Sequence, residues 1–377
     1  MSSDINKRLR ALNARRQGRD RATHTFDAVA SMEAYPPLEE SYQKRSTREH
    51  TRYALGAMQE VDRSYTENGI KEAERVQAQI ATRMSNEGLS CSFRLQGSVP
   101  GNIHIRGASD VDFLVLEPRF HHYDPNGSLA LRGHYTTPYR ASATRTLLDL
   151  RERLETVLKE AFQAVEVDCA GAKAIQLSGG SLRRDIDVVP ASWNDTIAYQ
   201  ASRDEDFRGV NIIDKYVPEL IHNLPFLHLR RLKERDLDTW GGLKKAIRLC
   251  KTLKADAIED GKQVEISSYD IASALWNAEA QSLQAGIVHE LSILAAATNY
   301  FVYLTANPNY ARELQTPDGT RKVFDSQGKI DAISVLTQEL LDLSRNVSAE
   351  QSSFVAPSAH QTDWLGTLRR TEVPLAG

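Results

Sequence analysis

Asp110-Val111-Asp112-Phe113-Leu114-Val115-Leu116 sets two acids into an apolar run, with Gly97-Ser98 ahead of it and Asp185-Ile186-Asp187-Val188-Val189-Pro190 behind. Asp is depleted in strands, yet both Asp pairs sit in stretches of strand character. Residues i and i+2 of a strand point to the same side, so each pair projects two carboxylates together, roughly 7 Å apart along the backbone. Like charges on one face repel, and something must neutralise them. Hard divalent cations do so. Two of them held roughly 4 Å apart by carboxylates is the usual arrangement for phosphoryl-transfer chemistry.

With 377 residues the chain is long for one domain, and two packed lobes are expected. A hydrophobic content of 41% and a charged content of 26% describe an ordinary globular protein. The formal net charge of −3 argues against a protein built mainly to coat nucleic acid. Cys91, Cys169 and Cys250 are far apart, which suggests a reducing compartment and excludes a Cys-based zinc module. No apolar run approaches the roughly 18–20 residues of a membrane span. The basic N-terminus (Lys7, Arg8, Arg10, Arg15, Arg16, Arg19, Arg21) has no apolar segment after it, so a secretory leader is not expected and a cytoplasmic location is.

Four regions are expected along the chain. Residues 1–50 form a charged, loosely helical arm. Residues 51–214 form an α/β core: a helix over 52–86, strands at Ser92–Gln96 and Ser109–Glu117, a helix over about 140–164 with Leu147, Leu150, Leu154 and Leu158 on one stripe, then strands at Val165–Cys169, Lys173–Leu177 and Arg184–Pro190. This is an α+β lobe with a mixed sheet and its acids on neighbouring strands. Residues 215–348 read as helix after helix, at 223–238, 241–256, 268–284, 286–306 and 329–347. Residues 349–377, rich in Ser, Pro and Thr, form an extended tail.

Gly-Ser, then Asp-hydrophobic-Asp twelve residues later, then an acid strand about seventy-five residues on resembles the polymerase-β-like nucleotidyltransferase superfamily. In that chemistry a hydroxyl attacks an α-phosphorus in line and pyrophosphate leaves. Asp110 and Asp112 ligate both ions, and a third acid sits beside the second ion, where it can help accept the hydroxyl proton. Asp185 and Asp187 point the same way, and spacing alone does not choose between them. The resemblance selects Asp187, which precedes a Val-Val-Pro-Ala run. The cofactor it implies is a pair of Mg²⁺ ions, with Mn²⁺ as the alternative. Gly97 lets backbone approach a phosphate closely, Ser98 can donate its hydroxyl and amide to it, and Gln96 completes the nucleotide-binding turn. Pro100-Gly101 breaks the pattern of helix formers usual after Ser98.

The helix over 241–256 buries Leu243, Ile247, Cys250 and Leu253, and carries Lys244, Arg248 and Lys251 on another face. That basic stripe reads equally as a solvated face. A helix ending Ile-Arg-Leu-Cys-Lys-Thr-Leu followed by Ser267-Ser268-Tyr269 resembles the nucleotide-binding half of cyclic GMP-AMP synthase and its bacterial relatives. By that resemblance Lys251 and Ser268 hold the triphosphate and Tyr269 stacks on a base. Ser268 equally suits a helix N-cap.

Together with Ile186-Asp187-Val188-Val189-Pro190-Ala191 and the run from Thr316 to Asp325, these features resemble the CD-NTases, the bacterial cGAS/DncV-like nucleotidyltransferases of CBASS anti-phage defence, over about residues 52–347. The resemblance implies a polymerase-β-like core and a helical lobe that closes a nucleotide cleft between them. It implies synthesis of a cyclic di- or trinucleotide second messenger from NTPs, ATP among them, which activates a separate effector. It further implies an operon regulator, for which the terminal Gly377 offers a handle. No Cys/His cluster matches the zinc ribbon of the metazoan DNA sensor, so DNA activation is not expected. The same metal site would serve an enzyme making linear oligonucleotides or tailing RNA. A degenerate scaffold of this fold and a nucleic-acid-binding regulator using the basic arm are the competitors from other classes.

Overall fold

The computed structural model describes residues 4–17, 40–107, 109–137, 140–182, 184–352 and 363–374. The chain divides into two compact units: Asp62–Gly101 with Ser109–Arg231, and Met1–Val61 with Asn102–Ala108 and Leu232–Gly377. The expected boundaries at 50, 214 and 348 therefore differ from the observed ones. The N-terminal segment belongs to the helical unit, and so does the short segment that follows Gly101.

The first unit is built on a seven-stranded mixed sheet. Its strands are β1 (Ser92–Gln96), β2 (Val111–Tyr123), β3 (Glu166–Asp168), β4 (Ile175–Ser178), β5 (Ile186–Asp195), β6 (Gly209–Ile213) and β7 (Leu220–Asn223). The order is β1-β2-β5-β4-β3, with β6 pairing the far half of β5 and β7 pairing β6. Only β2 and β5 run parallel; every other pair is antiparallel. The sequence reading missed β6, at the end of the expected α/β core, and β7, in a region read as helical.

Period-two alternation decides which face each residue serves. Val111, Phe113 and Val115 of β2 and Ile186 and Val188 of β5 join one core with Ala73, Val76, Ile80 and Met84 and with Leu147, Leu150, Leu154 and Leu158. Leu114 and Leu116, with Val189 and Ala191, form a second core with Val210 and Ile212. Asp112 and Asp187 share this second side of the sheet. The helices on the first face are Arg63–Asn86 and Ala143–Ala161. The single helix expected over 52–86 is instead two, Glu49–Met58 and Arg63–Asn86. Gln59 is extended (ψ 143°), and the Asp62 carboxylate caps the second helix by accepting from the Tyr65 amide.

The second unit is helical. Its helices include α1 (Ile5–Gln17), α2 (Glu49–Met58), α3 (Gly242–Glu259), α4 (Ser268–Trp276), α5 (Ser292–Ala306), α6 (Gln327–Ser352) and α7 (Trp364–Arg370). Residues 18–39 of the expected arm lie outside the described residues; over Ile5–Gln17 the loose arm is a correction, since Leu9 and Leu12 of α1 are buried in the helical core. Arg8 of α1 reaches Glu339 of α6 (2.5 Å) and Asp260 (2.8 Å), and Arg15 pairs with Asp256, which also receives the Tyr53 hydroxyl. Residues 353–362 of the expected extended tail lie outside the described residues, and its described parts are a second correction. Helix α6 runs to Ser352, and α7 buries Leu368 in the same core with Leu365 and Val373 packed against it. Gly377 lies outside the described residues. Among those described, no helix is long and apolar enough to cross a membrane.

Burial pushes the Glu339 carboxyl up, but hydrogen bonds from Arg8 and Lys262 outweigh it and hold the group below its ordinary 4.5. A carboxyl depressed in the folded state adds stability that is full above its unfolded value and is lost as pH falls through the folded one. Arg8→Ala is therefore expected to cost about 3 kcal/mol at neutral pH, near the low end for breaking a buried pair because Lys262 still reaches Glu339. Denaturant melts should show the gap between wild type and variant shrinking as pH drops below the ordinary carboxylate value. A gap that is constant with pH would mean that the loss is one of packing alone.

Candidate active site

Strand pairing brings the predicted acids together. In the parallel β2–β5 ladder Asp112 stands opposite Asp187 and Val111 opposite Ile186, and the Val111 amide donates to the Asp185 carbonyl at 3.0 Å. On the outer sides Gln96 of β1 stands opposite Asp112, and Gln176 of β4 opposite Asp187. Residues directly opposite across a ladder share a face, so Gln96, Asp112, Asp187 and Gln176 make one row across four strands. Asp110 and Asp185 precede the two central strands and extend the acidic group by one step.

The row has an electrostatic cost. Burial, and then the neighbouring Asp110, push the Asp187 carboxyl up to about 6, with Asp185 adding to it. Against that, Gln176 Nε2 donates to Asp187 Oδ1 in a long 3.4 Å contact. Among the described residues no three His, Cys, Asp or Glu side chains stand, as placed, in a geometry that could hold a metal ion. The fit to a cation therefore rests on the donor chemistry: hard carboxylate oxygens on adjacent strands, with one carboxyl raised by burial and by its acidic neighbours. Asp110, Asp112 and Asp187 suit a hard divalent ion on those grounds.

Gly97 closes β1 with φ +77°, and a Cβ there would lie 2.1 Å from Asp112 Oδ2. The Gly-Ser turn thus lies directly against the first acid. The chain continues in turns through Asn102 with no helix after Ser98, as Pro100-Gly101 led one to expect. Ser98 is half-buried, and no hydrogen bond engages its hydroxyl among the described residues.

In the helical unit the basic stripe is not a solvated face. Arg248 is 5% and Lys251 3% exposed. Lys251 Nζ donates to the Ile103 carbonyl (2.8 Å), and Arg248 donates to the Met58 and Asn102 carbonyls, both at 2.8 Å. The N-cap of α4 is Ser267, not Ser268: it closes a capping box with Asp270. Ser268 is the first helical residue, and its hydroxyl is left uncommitted among the described residues. The Tyr269 hydroxyl donates to Asp318 Oδ2 (2.7 Å), and the Arg321 guanidinium covers one face of its ring at 5.1 Å. Burial and the Asp318 bond both raise the Tyr269 hydroxyl, so it stays protonated.

Sequence reasoning missed Gln176, Ser267, and the roles of Asp318 and Arg321. Gln176 sits between the buried Ile175 and Leu177, and only knowledge that β4 flanks β5 reveals what it faces. Asp318 and Arg321 belong to the quoted run from Thr316, whose turn a lone sequence does not dock onto any partner.

The contact at Gly97 yields a test. Gly97→Ala strains a left-handed backbone and meets the Asp112 carboxylate, and is expected to cost about 1–3 kcal/mol. In an Asp112→Ala background the steric part disappears, so a double-mutant cycle by denaturant melts should show a smaller cost there. Equal costs in both backgrounds would place the strain in the backbone alone.

Comparison with known proteins extends these observations. A family model described as the cGAS/DncV-like nucleotidyltransferase C-terminal helical domain matches residues 230–343. The chain is 38% identical over 324 residues to a cyclic dinucleotide synthase, CdnE, of Yersinia aleksiciae, covering 85% of this chain and 83% of that protein. It is 28% identical over 319 residues to a c-di-GMP synthase of Capnocytophaga granulosa, covering 79% of this chain and 88% of the relative. Among solved structures, a STING-associated CdnE c-di-GMP synthase from Capnocytophaga granulosa matches with a TM-score of 0.68 at 24% identity. The match covers 92% of this chain and 100% of that one, a likeness that shows the fold. Since more than a third of the aligned residues are shared with the Yersinia protein over most of both chains, this chain belongs to the cGAS/DncV-like nucleotidyltransferases.

Proposed function

We propose that this nucleotidyltransferase is a template-independent cyclic dinucleotide synthase, joining two nucleoside triphosphates into a ring with release of pyrophosphate. The observation that carries the reading is the row of Asp112 opposite Asp187 with Gly97 against Asp112. Its context is a chain similar to curated cyclic dinucleotide synthases. A ribose hydroxyl oxygen attacks the α-phosphorus in line; the new O–P bond forms as the bond to the bridging oxygen of the pyrophosphate breaks. Asp187 is the acceptor for the hydroxyl proton, since burial and Asp110 make it a stronger base than an exposed Asp. Gln176 engages Oδ1 of that carboxylate and leaves Oδ2 for the proton. Asp110, Asp112 and Asp187 would hold two divalent cations, Mg²⁺ or Mn²⁺, which when bound lower the pKa of the hydroxyl and neutralise the triphosphate. Gln96, Gly97 and Ser98 bind phosphate oxygens through backbone amides and the Ser98 hydroxyl, Lys251 and Ser268 bind the triphosphate, and Tyr269 stacks on a base. The product acts on a separate cyclic-nucleotide-activated effector in anti-phage defence. A regulator acting at Gly377 would meet a chain tied down as far as Pro374, whose carbonyl accepts from Arg45 Nε at 2.8 Å.

Mass spectrometry of the product made from all four NTPs and Mg²⁺, before and after phosphatase, tests this. A phosphatase-resistant cyclic dinucleotide is expected. A phosphatase-sensitive product would make the enzyme a maker of linear oligonucleotides, and no product a scaffold. Asp112→Asn and Asp187→Asn should each lower product formation by orders of magnitude with the fold intact, whereas Asp185→Asn should not. Near-normal synthesis by Asp112→Asn would sink the mechanism. Lys251→Ala should weaken NTP binding by about 1–3 kcal/mol in calorimetry, the range for a charge-assisted hydrogen bond.

A further inference from the structure

Arg184 is 3% exposed, and its Nε, Nη1 and Nη2 are all buried without a hydrogen-bond acceptor among the described residues. Its guanidinium carbon lies 4.0 Å from the centre of the Tyr65 ring, on the helix Arg63–Asn86. Gly69 of the same helix makes room for it: a Cβ there would stand 3.0 Å from Arg184 Cδ and 3.4 Å from Nε and Nη1. Glycine weakens a helix interior, so its place inside a 24-residue helix fits a seat for this side chain. Stacking on an aromatic ring returns only part of what burying an unsatisfied guanidinium costs. A methionine would fill similar space without leaving five N–H donors unmet, so packing alone does not account for arginine here.

What arginine adds is direction. Its rigid plane stacks in one orientation, which fixes an angle as well as a distance. The residue so held is the one before Asp185, whose carbonyl accepts the Val111 amide at 3.0 Å and opens the β2–β5 ladder. The first two pairs of that ladder are Val111 with Ile186 and Asp112 with Asp187. A second tie joins the same helix to the same approach, since Arg75 Nη2 donates to Ser181 Oγ at 3.0 Å. The helix packs on the first face of the sheet and grips the chain where it enters β5, while Asp187 projects from the other face.

We propose that Arg184 is a positioning residue for the acid row: its stack on Tyr65 sets the entry of β5 and so the placement of Asp187 opposite Asp112. The proposal rests on the reading of those acids as the holders of a divalent cation. A strand entry free to shift would spread the carboxylates, weaken their hold on the ion and slow the chemistry. The nucleotide contacts would stay where they are.

Two measurements on the full-length protein test this, each at a temperature where every variant is folded. One is Mn²⁺ binding without nucleotide, followed by electron paramagnetic resonance; the other is steady-state synthesis with Mg²⁺. Arg184→Met and Tyr65→Leu should each weaken Mn²⁺ binding about tenfold, the lower end for losing a group that orients a metal ligand. They should lower kcat by a similar factor and leave the KM for NTP unchanged. Tyr65→Phe keeps the ring and should retain wild-type values. If Arg184→Met does not fold, Tyr65→Leu, which leaves the arginine in place, carries the test. Variants that melt earlier yet bind Mn²⁺ and turn over as the wild type does would overturn the proposal, leaving Arg184 a merely structural residue. So would a loss in Tyr65→Phe equal to that in Tyr65→Leu, which would place the effect in the hydroxyl. A wild type that neither binds Mn²⁺ nor makes product would overturn the reading of the acid row itself, and this proposal with it.

Discussion

The parallel pairing of β2 with β5 is the constraint on which the acidic face depends. It sets Val111 opposite Ile186 and Asp112 opposite Asp187, so apolar and acidic residues alternate in step on both strands. A slip of one residue would carry Asp187 into the core of Ile80, Leu150 and Leu154 and expel Ile186 from it. Strand register is strongly specified wherever one face is buried, and here the buried face fixes the acids on the other. The burial and repulsion that raise Asp187 to about 6 are therefore imposed by the packing of its neighbours. The sheet tolerates two carboxylates side by side because Ile186 and Val188 secure the strand from behind.

The helical unit solves the opposite problem. Its central helix α3 is buried on nearly every side, yet carries Arg248 and Lys251 inward. Backbone carbonyls at Met58, Asn102 and Ile103 satisfy them, which requires that two distant pieces of chain lie against α3. The cations hold Asn102–Ile103 to the helical unit, although Gly101 just before it and Ser109 soon after are grouped with the unit that contains the sheet.

What the sequence revealed follows from how each signal is written. The acids and the strands around them were legible because Asp within an apolar alternation is improbable without a purpose. The seven-stranded extent of the sheet was not, since β6 and β7 are short and carry no acid to draw the eye. Helix α1 read as a loose arm because periodicity counts Arg8 and Arg15 as solvent-facing. In the structure both are buried against carboxylates that lie more than two hundred residues away. The break between α2 and the next helix rested on the cap at Asp62, a single residue inside an otherwise helical pattern. Gln176 was illegible for a topological reason: its meaning depends on which strand lies beside it, and one sequence does not state strand order.

The surroundings of Tyr269 carry the same lesson into the proposed mechanism. Asp270 closes the capping box with Ser267 and also pairs with Arg321 at 2.6 Å, while Arg321 lies over the Tyr269 ring. The Tyr269 hydroxyl is tied to Asp318, which Thr316 and Thr320 also engage. One turn therefore fixes the ring at its tip and on one face, and the helix cap anchors that turn. A side chain already immobilised loses little further entropy when a base stacks on it, so more of the stacking energy remains as affinity. Under the proposed function, Arg321 over one face closes that face to a base. Orientation of that kind is what in-line attack requires, because a misaligned α-phosphorus forfeits much of the advantage of holding both reactants. The run from Thr316 to Asp325, which served in the sequence only as a mark of kinship, thus has a physical role. It makes Tyr269 a rigid platform instead of a mobile side chain.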